Sequence, residues 1–382
     1  MKKRFLAICV ALASVLLSAC SGAGEAEEKG AKYAQFVFPR RAVYGDYYIT
    51  YGPGRELTYF DLENGTSSPA CVVAGCKHEW SSAECTASGA IGITFPFAYD
   101  NSLYYFAEDT GNFVTEFYKC SLNGGSREQV FSFEPERVSE TELYSPVIQN
   151  CALYDEKLYV AVYNMPYKTD IETGVGGTDG EALAGFRIFT FDLKTNELSL
   201  FYETEKLYSS SFDMFGAADG ELYCFITGQS AEYDFESYEE KLEAIQDGNS
   251  DYNKTLVRKF FSLNLADKHL TELCEAVYNV GSGGAFYSAD DGIYSPANGK
   301  ILDVKADFFY PSSEGLIYAA DGRRFLYSDG KIVDIGEYDG YRINWESENY
   351  FMLWSPDSEQ FYCKKTDYLN GTPNYNRLTL EM

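Results

Sequence analysis

The stretch DEKLYVAVY, residues 155–163, is the clearest copy of the pattern that predicts the fold. Two polar turn residues precede a run of apolar and aromatic side chains that has the length of one β-strand. Acidic or glycine-containing turns followed by Tyr-, Val- and Ile-rich segments are typical of β-hairpins. The same unit recurs along the chain: GDYYITYG at 45, DNSLYYF at 100, DGELYCFI at 219, DDGIYS at 290, EGLIYAA at 314 and NYFMLW at 349.

A second pattern follows the first at some distance in several units. In this pattern an apolar strand is followed by a polar turn that contains Asp or Asn, and a second apolar strand follows the turn. Examples are YFDLENG at 59, YKCSLNGG at 118, FTFDLKTNEL at 189 and FFSLNLADKHL at 260. Recurrence of a whole supersecondary unit indicates an array of stacked sheets. The sequence therefore predicts an all-β fold, a β-propeller of about seven four-stranded blades. Six or eight blades would also fit the pattern, and a β-sandwich or β-helix is the alternative.

The segment LWSPDSEQFYC, residues 353–363, resembles the SPDG hairpin of TolB-like propeller repeats. Pro356 supplies the fixed φ of a turn, and Asp357 can hydrogen-bond to the backbone beyond it. Ser358 stands where that repeat has glycine. The resemblance implies a propeller architecture and no activity.

One segment departs from the β pattern, DFESYEEKLEAIQDGNSD at 234–251. Its residues Phe235, Tyr238, Leu242 and Ile245 recur at helical spacing. Ser237 and Glu240 have the spacing of a capping box, and Gly248 can end the helix. We expect one short helix inserted into the fourth blade, and a long loop at MPYKTDIETGVGGTDGEALAG, residues 165–185.

The first twenty residues, MKKRFLAICVALASVLLSAC, have the features of a bacterial lipoprotein signal. A basic start precedes an apolar run that is too short to span a bilayer, and LSAC resembles a lipobox. We predict a signal peptide at 1–19, a lipidated Cys20 with a flexible tether at 20–32, and a propeller domain at 33–382. Two acyl chains would hold the protein stably to the membrane. The predicted location is the cell membrane, with the body on the extracytoplasmic side.

The formal net charge of −27 restricts the choice of partner. An acidic surface repels nucleic acids and anionic lipid surfaces. We therefore expect no nucleic-acid partner. The membrane would be reached through the lipid, and the ligand would be an unknown extracellular molecule or protein.

The stretch CVVAGCKHEWSSAEC, residues 71–85, contains Cys71, Cys76, His78 and Cys85. Three thiolates and an imidazole would complete a tetrahedral site, so a structural zinc ion is one interpretation. A disulfide between two of the cysteines is the other, because thiols outside the cytoplasm tend to be oxidised. The order YFDLENG then PACVVAGCKHEWSSAEC resembles a segment of uncharacterised propeller-like lipoproteins from clostridial bacteria. That resemblance implies a cell-surface lipoprotein of a Gram-positive anaerobe and no catalytic residues.

The sequence indicates no complete catalytic set. The chain has two histidines, and the second, His269, falls in the hairpin turn of LADKHLTEL. The stretch DIETGVGGTDGE at 170–181 resembles a calcium loop, but Val175 occupies the position where an EF-hand requires glycine. A different kind of cation loop could use Asp170, Glu172, Asp179 and Glu181.

The leading hypothesis is thus a non-enzymatic binding or scaffold propeller anchored to the membrane. The alternative is a carbohydrate-active enzyme, a polysaccharide lyase or hydrolase that uses carboxylates and tyrosines in the propeller channel.

Overall fold

The protein, seen as a computed structural model, is described at residues 35–37, 42–51, 56–77, 85, 92–109, 111–122, 124–169, 176–178, 183–233, 237–247 and 250–379. The predicted signal peptide, Cys20 and the tether lie outside the described residues. Among the described residues, no helix is both long and apolar enough to cross a membrane.

The strands form seven sheets, which are the blades of a β-propeller. A short first strand, β1 (Gln35–Val37), precedes the blades. Blade 1 consists of β2 (Ala42–Tyr44), β3 (Tyr47–Tyr51), β4 (Leu57–Asp61) and β5 (Thr66–Pro69). Blade 2 consists of β6 (Gly92–Tyr99), β7 (Ser102–Asp109), β8 (Val114–Ser121) and β9 (Glu128–Phe133). Blade 3 contains β10 (Glu136–Arg137), β11 (Glu142–Tyr154), β12 (Lys157–Thr169), β13 (Gly176–Thr178), β14 (Phe186–Asp192) and β15 (Leu198–Glu203).

The remaining four blades each have four consecutive strands. Blade 4 consists of β16 (Tyr208–Ala218), β17 (Glu221–Gln229), β18 (Leu256–Asn264) and β19 (Leu270–Leu273). Blade 5 consists of β20 (Val277–Gly281), β21 (Gly284–Ala289), β22 (Gly292–Ser295) and β23 (Gly299–Leu302). Blade 6 consists of β24 (Phe308–Ser312), β25 (Gly315–Ala320), β26 (Arg323–Ser328) and β27 (Lys331–Glu337). Blade 7 consists of β28 (Arg342–Glu346), β29 (Tyr350–Trp354), β30 (Gln360–Lys364) and β31 (Asn376–Arg377).

The recurring aromatic unit is the second strand of a blade. In blades 1, 2, 3, 4, 6 and 7 the quoted stretches coincide with β3, β7, β12, β17, β25 and β29, and the second pattern coincides with the third strands β4, β8, β14 and β18. Blade 5 is the exception, because DDGIYS at 290 is its third strand, β22, and its second strand is β21. The seven-bladed interpretation is confirmed.

The conformation of the turns explains why the repeat can be recognised in the sequence. Asp155 and Glu156 join β11 to β12 with φ of 48° and 62°, and Asp219 and Gly220 join β16 to β17 with φ of 53° and 80°. Two successive residues at positive φ form a type I′ turn, whose twist matches that of the strands it connects. Asp, Asn and Gly are the residues that tolerate this conformation best.

Every paired neighbour within a blade is antiparallel, so successive connections alternate between the two ends of each sheet. The first strands of most neighbouring blades, such as β11 and β16 or β16 and β20, contact one another, which places the first strands around the propeller axis. We call the end that carries the first-to-second strand turns, such as Asp155–Glu156, the turn face. The opposite end, the insert face, carries the second-to-third strand and blade-to-blade connections.

Blade 4 carries the predicted helical insert on the insert face. Helix α1 (Tyr238–Gln246) and the short α2 (Asp251–Lys254) lie between β17 and β18. The Ser237 side chain caps α1 by accepting from the Glu240 N–H at 3.1 Å, as the capping-box spacing predicts. A third short helix that the sequence did not predict, α3 (Lys365–Leu369), follows β30 on the turn face of blade 7. Gly248 and Phe235 lie outside the described residues.

Aromatic side chains fill the space between the blades. Between blades 2 and 3, the ring of Phe117 lies 4.7 Å from Phe106 and meets Phe191 edge-on at 5.3 Å. Such wide side chains bury a large area each, and their pairwise geometry adds to the stabilisation. The ring closes by packing without strand exchange, because all four strands of blade 1 precede blade 2 and all four of blade 7 come last. Tyr48 of blade 1 meets Trp345 of blade 7 edge-on at 5.5 Å.

The strand β1 pairs antiparallel with the free edge of β11, Gln35 opposite Leu153 and Val37 opposite Cys151. It also contacts β6 and β16, the first strands of blades 2 and 4. It therefore lies on the axial side of blade 3, inside the ring of first strands. Since β11 runs from the insert face to the turn face, β1 runs the opposite way, and its first residue, Gln35, lies toward the turn face.

Candidate functional site

The cysteine cluster lies in the connection from β5 to β6, on the insert face. Backbone bonds shape this segment: the Cys71 N–H donates to the Pro69 carbonyl at 2.8 Å and the Cys76 N–H to the Val73 carbonyl at 3.2 Å. Gly75 adopts a φ of 73° just before Cys76. Glycine is favoured at the third position of a turn that requires positive φ. The turn brings the Cys76 thiol back toward Cys71.

The three sulfurs of Cys71, Cys76 and Cys85 all lie within 4.8 Å of one another. The Sγ atoms of Cys71 and Cys85 are 3.7 Å apart. A disulfide bond requires about 2.05 Å between sulfurs, so this separation is not that of a bonded pair. The Val73 N–H points at the Cys71 Sγ at 3.5 Å. The arrangement presents three sulfur ligands to one common point.

The surroundings of the cluster are largely apolar. Cys85 is buried, and Cys71 and Cys76 are half-buried against the apolar cluster that contains Cys85, Ile49 and Leu57. The cluster thus sits where the first blade meets the start of the second. His78 lies outside the described residues, so its predicted role as a ligand stays a prediction. The predicted cation-loop residues, Asp170, Glu172, Asp179 and Glu181, also lie outside the described residues.

The other described cysteines lie apart from this cluster and from one another. Cys120, Cys151, Cys224 and Cys363 are buried in β8, β11, β17 and β30, whereas Cys274 is exposed just after β19. Burial raises the pKa of the Cys120 thiol to about 11 and that of Cys363 to about 12. Thiols of this kind are packing residues with little nucleophilic character at neutral pH.

His269 lies in the exposed turn between β18 and β19, which confirms its interpretation as a turn residue. Its N–H donates to the Asp267 carboxylate at 2.9 Å, and its carbonyl accepts from the Asn264 N–H at 2.9 Å. These contacts are those of a hairpin connection.

The insert face also exposes apolar side chains that the sequence did not single out as a surface. Among the described residues, twelve large apolar side chains are exposed, and seven of them belong to the insert face. These seven are Val72, Val138, Leu183, Leu242, Ile245, Leu256 and Val277. The other five are Tyr47, Leu200, Leu270, Ile332 and Val333, which lie on β3 and on the fourth strands of blades 3, 4 and 6. Exposed apolar side chains gathered on one side of a protein mark interaction surfaces.

Helix α1 contributes to this surface directly. Its apolar residues Leu242 and Ile245 are 37% and 46% exposed. The helical spacing predicted an apolar face, and the structure shows that this face is not covered by the propeller. A cleft of about 180 Å³ opens between blades 3 and 4 beside Tyr202, Glu205 and Lys259. It is smaller than the pockets of about 300–1,000 Å³ that enclose small-molecule ligands.

Comparison with known proteins found neither a matching family model nor a matching curated sequence. The chain is similar to the β-propeller domain of the Trilobed protease from Pyrococcus furiosus, with a TM-score of 0.41 and 11% identity over 91% of this chain and 98% of that one. It is similar to an uncharacterised protein from Listeria monocytogenes, with a TM-score of 0.41 and 11% identity over 92% and 97% of the two chains. It spans about half of the acylaminoacyl peptidase from Pyrococcus horikoshii, 53%, with a TM-score of 0.42, 12% identity and coverage of 92% of this chain. Identities this low carry no argument about activity.

Proposed function

We propose that this protein is a membrane-anchored, extracytoplasmic propeller that binds another protein through its insert face. The observation that carries the proposal is the concentration of exposed apolar side chains at that end of the blades, together with the helical insert of blade 4. Binding surfaces of this type combine apolar anchors with a polar rim. The scaffold holds them rigidly, because each blade packs on its neighbours around a closed ring.

The path of the N-terminal chain supports the same arrangement. The lipobox-like LSAC places the lipid on Cys20, and β1 enters the propeller from the turn face. The predicted tether at 20–32 has the composition of a linker that would have an end-to-end distance of roughly 20 Å. The anchor would thus hold the turn face toward the membrane and direct the insert face outward.

The net charge of the chain restricts the classes of molecule that can bind to it. With a net charge of −27, the protein repels polyanions, so a protein with an apolar and basic patch is the complementary partner. The alternative hypothesis, a polysaccharide lyase or hydrolase acting in the channel, remains a prediction. It has to accommodate β1, which occupies the axial side of blade 3.

Photo-crosslinking in intact cells tests the proposal. A photoreactive amino acid is placed at Leu242 on α1, and the control places it at Ile332, an exposed apolar residue near the turn-face end of β27. We expect a discrete covalent adduct with one cell-surface protein from position 242 and none from position 332. Failure to form an adduct at 242, or equal adducts at both positions, contradicts the proposal.

A further inference from the structure

We propose that Cys71, Cys76 and Cys85 bind one zinc ion as thiolates, and that this ion is a structural staple. It would cross-link the β5–β6 connection, which contains all three cysteines. The proposal concerns the described thiols and does not depend on the identity of the partner or on the lipid anchor.

The separation of the sulfurs fits a tetrahedral metal. Zinc–thiolate bonds are about 2.3 Å long, and two ligands at tetrahedral corners are then about 3.8 Å apart. The observed distance between the Sγ atoms of Cys71 and Cys85 is 3.7 Å, and Cys76 completes a group within 4.8 Å. The three sulfurs are therefore close enough together to reach one zinc ion after small adjustments of the side chains.

The contacts around the sulfurs favour the thiolate form. The Val73 N–H directed at the Cys71 Sγ at 3.5 Å places a donor on a sulfur, and a donor stabilises negative charge. The turn at Gly75 precedes Cys76, whose sulfur lies within 4.8 Å of the other two. Three neighbouring thiolates in a half-buried, apolar setting would repel one another strongly, so their ionisation requires a cation. Soft sulfur donors in a tetrahedral arrangement select zinc over calcium or magnesium.

The position of the cluster explains why a staple would be useful there. The connection from β5 to β6 leaves blade 1 after Pro69, and its cysteines pack within the apolar cluster shared by blades 1 and 2. A disulfide could join only two of the three thiols and would leave the third beside them. A metal uses all three at once.

The test is elemental analysis and native mass spectrometry of the purified protein, together with alkylation of the thiols before and after chelation. We expect one zinc per chain, and thiols at 71, 76 and 85 that alkylate only after the metal is removed. Cys71→Ser and Cys85→Ser should each lower zinc retention about tenfold or more. Cys274→Ser, which removes an exposed cysteine of a distant blade, should leave one zinc per chain.

Replacement of the metal by cobalt(II) keeps the test decisive if the serine variants do not fold. A tetrahedral cobalt–thiolate spectrum from the unmodified protein supports the site. A protein that contains iron or no metal at this cluster overturns the zinc proposal. A disulfide between Cys71 and Cys85 also overturns it. Such a bond would make the protein lighter than the fully reduced chain by two hydrogens, and a peptide map would show the two cysteines joined. None of these results depends on the crosslinking result at position 242, so the two proposals can fail separately.

Discussion

Replacing Lys365 by methionine should weaken the contact between blades 6 and 7. The Lys365 ammonium lies 2.7 Å from the Glu346 carboxylate, and the two side chains are only 7% and 9% exposed. Ser313, in the turn of blade 6, donates to Glu346 through its N–H at 2.8 Å and its hydroxyl at 3.1 Å. The Lys365 Nζ also donates to the Ser313 hydroxyl at 2.8 Å. This buried network lies on the turn face.

Removing one partner of a buried ion pair costs about 3–5 kcal/mol, because a buried charge is left uncompensated. The two bonds from Ser313 to Glu346 remain in Lys365→Met, so we expect the lower end, about 3 kcal/mol. Urea unfolding followed by tryptophan fluorescence measures it, since Trp345 and Trp354 lie in blade 7. With a slope of about 3 kcal/mol/M, the midpoint falls by about 1 M.

The effect should depend on pH in a defined direction. Burial raises the pKa of Glu346 above its ordinary 4.5, although Lys365 and Ser313 act in the opposite direction. Loss of the ammonium raises that pKa further. When the pKa of a carboxyl group is higher in the folded state than in the unfolded state, the group destabilises the folded protein as the pH rises. The effect is absent at a pH below the unfolded-state pKa and complete at a pH above the folded-state pKa. The stability deficit of Lys365→Met should therefore be larger at pH 8 than at pH 5.

Two control variants separate this explanation from a general loss of packing. The double variant Glu346→Gln, Lys365→Met removes both charges and should recover most of the loss. Arg323→Met breaks the exposed pair with Asp334, whose side chains are 45% and 44% exposed, and should shift the urea midpoint far less than Lys365→Met does. If Lys365→Met costs no more than Arg323→Met, or its deficit is the same at both pH values, the assigned role of the buried pair is wrong.

Three further predictions concern a turn, the thiols and the anchor. Ser358 has a φ of 62°, a conformation that costs a non-glycine residue energy, so Ser358→Gly should raise the free energy of unfolding by about 0.5–1 kcal/mol in urea titration; a loss of stability contradicts this. In the native protein, a maleimide should modify the exposed Cys274 within minutes and spare Cys224, whose burial raises its thiol pKa; equal labelling, read by peptide mapping, contradicts the packing. Cys20→Ala should move the protein from the membrane fraction to the soluble fraction, and mass spectrometry of the unmodified protein should find a diacylated N-terminal Cys20; a membrane-bound variant contradicts the predicted anchor.

The propeller could be predicted from the sequence because its turns and strands are each specified by a few consecutive residues. Residues that accept positive φ, such as Asp155 and Asp219, mark the hairpins, and the aromatic strands that follow them mark the blades. The start of α1 is likewise predicted locally, because Ser237 and Glu240 lie three positions apart, the spacing of a helix cap. The proximity of Cys71 and Cys76 follows from their spacing, while the position of Cys85 beside them depends on the path of the connection.

Features that join distant parts of the chain could not be predicted in this way. The pairing of β1 with β11 brings together residues more than a hundred positions apart, and a three-residue strand has too little pattern to specify its partner. The contacts of Ser313 with Glu346 and Lys365 depend on how blade 7 packs on blade 6. The helical spacing of Leu242 and Ile245 predicts an apolar face, but only the packing shows that this face is exposed.

The most direct test of the tethered arrangement is the distance from each face to the membrane. Lys331 and Glu337 are the two ends of β27, both exposed, with Lys331 at the turn face. Six residue steps of about 3.3 Å separate them by about 20 Å. A fluorophore is attached through a genetically encoded azide at either position of the lipidated protein, and energy transfer to an acceptor in the bilayer is measured. Transfer should be clearly more efficient from position 331 than from position 337. Equal or reversed efficiencies would contradict a propeller whose turn face is held toward the membrane.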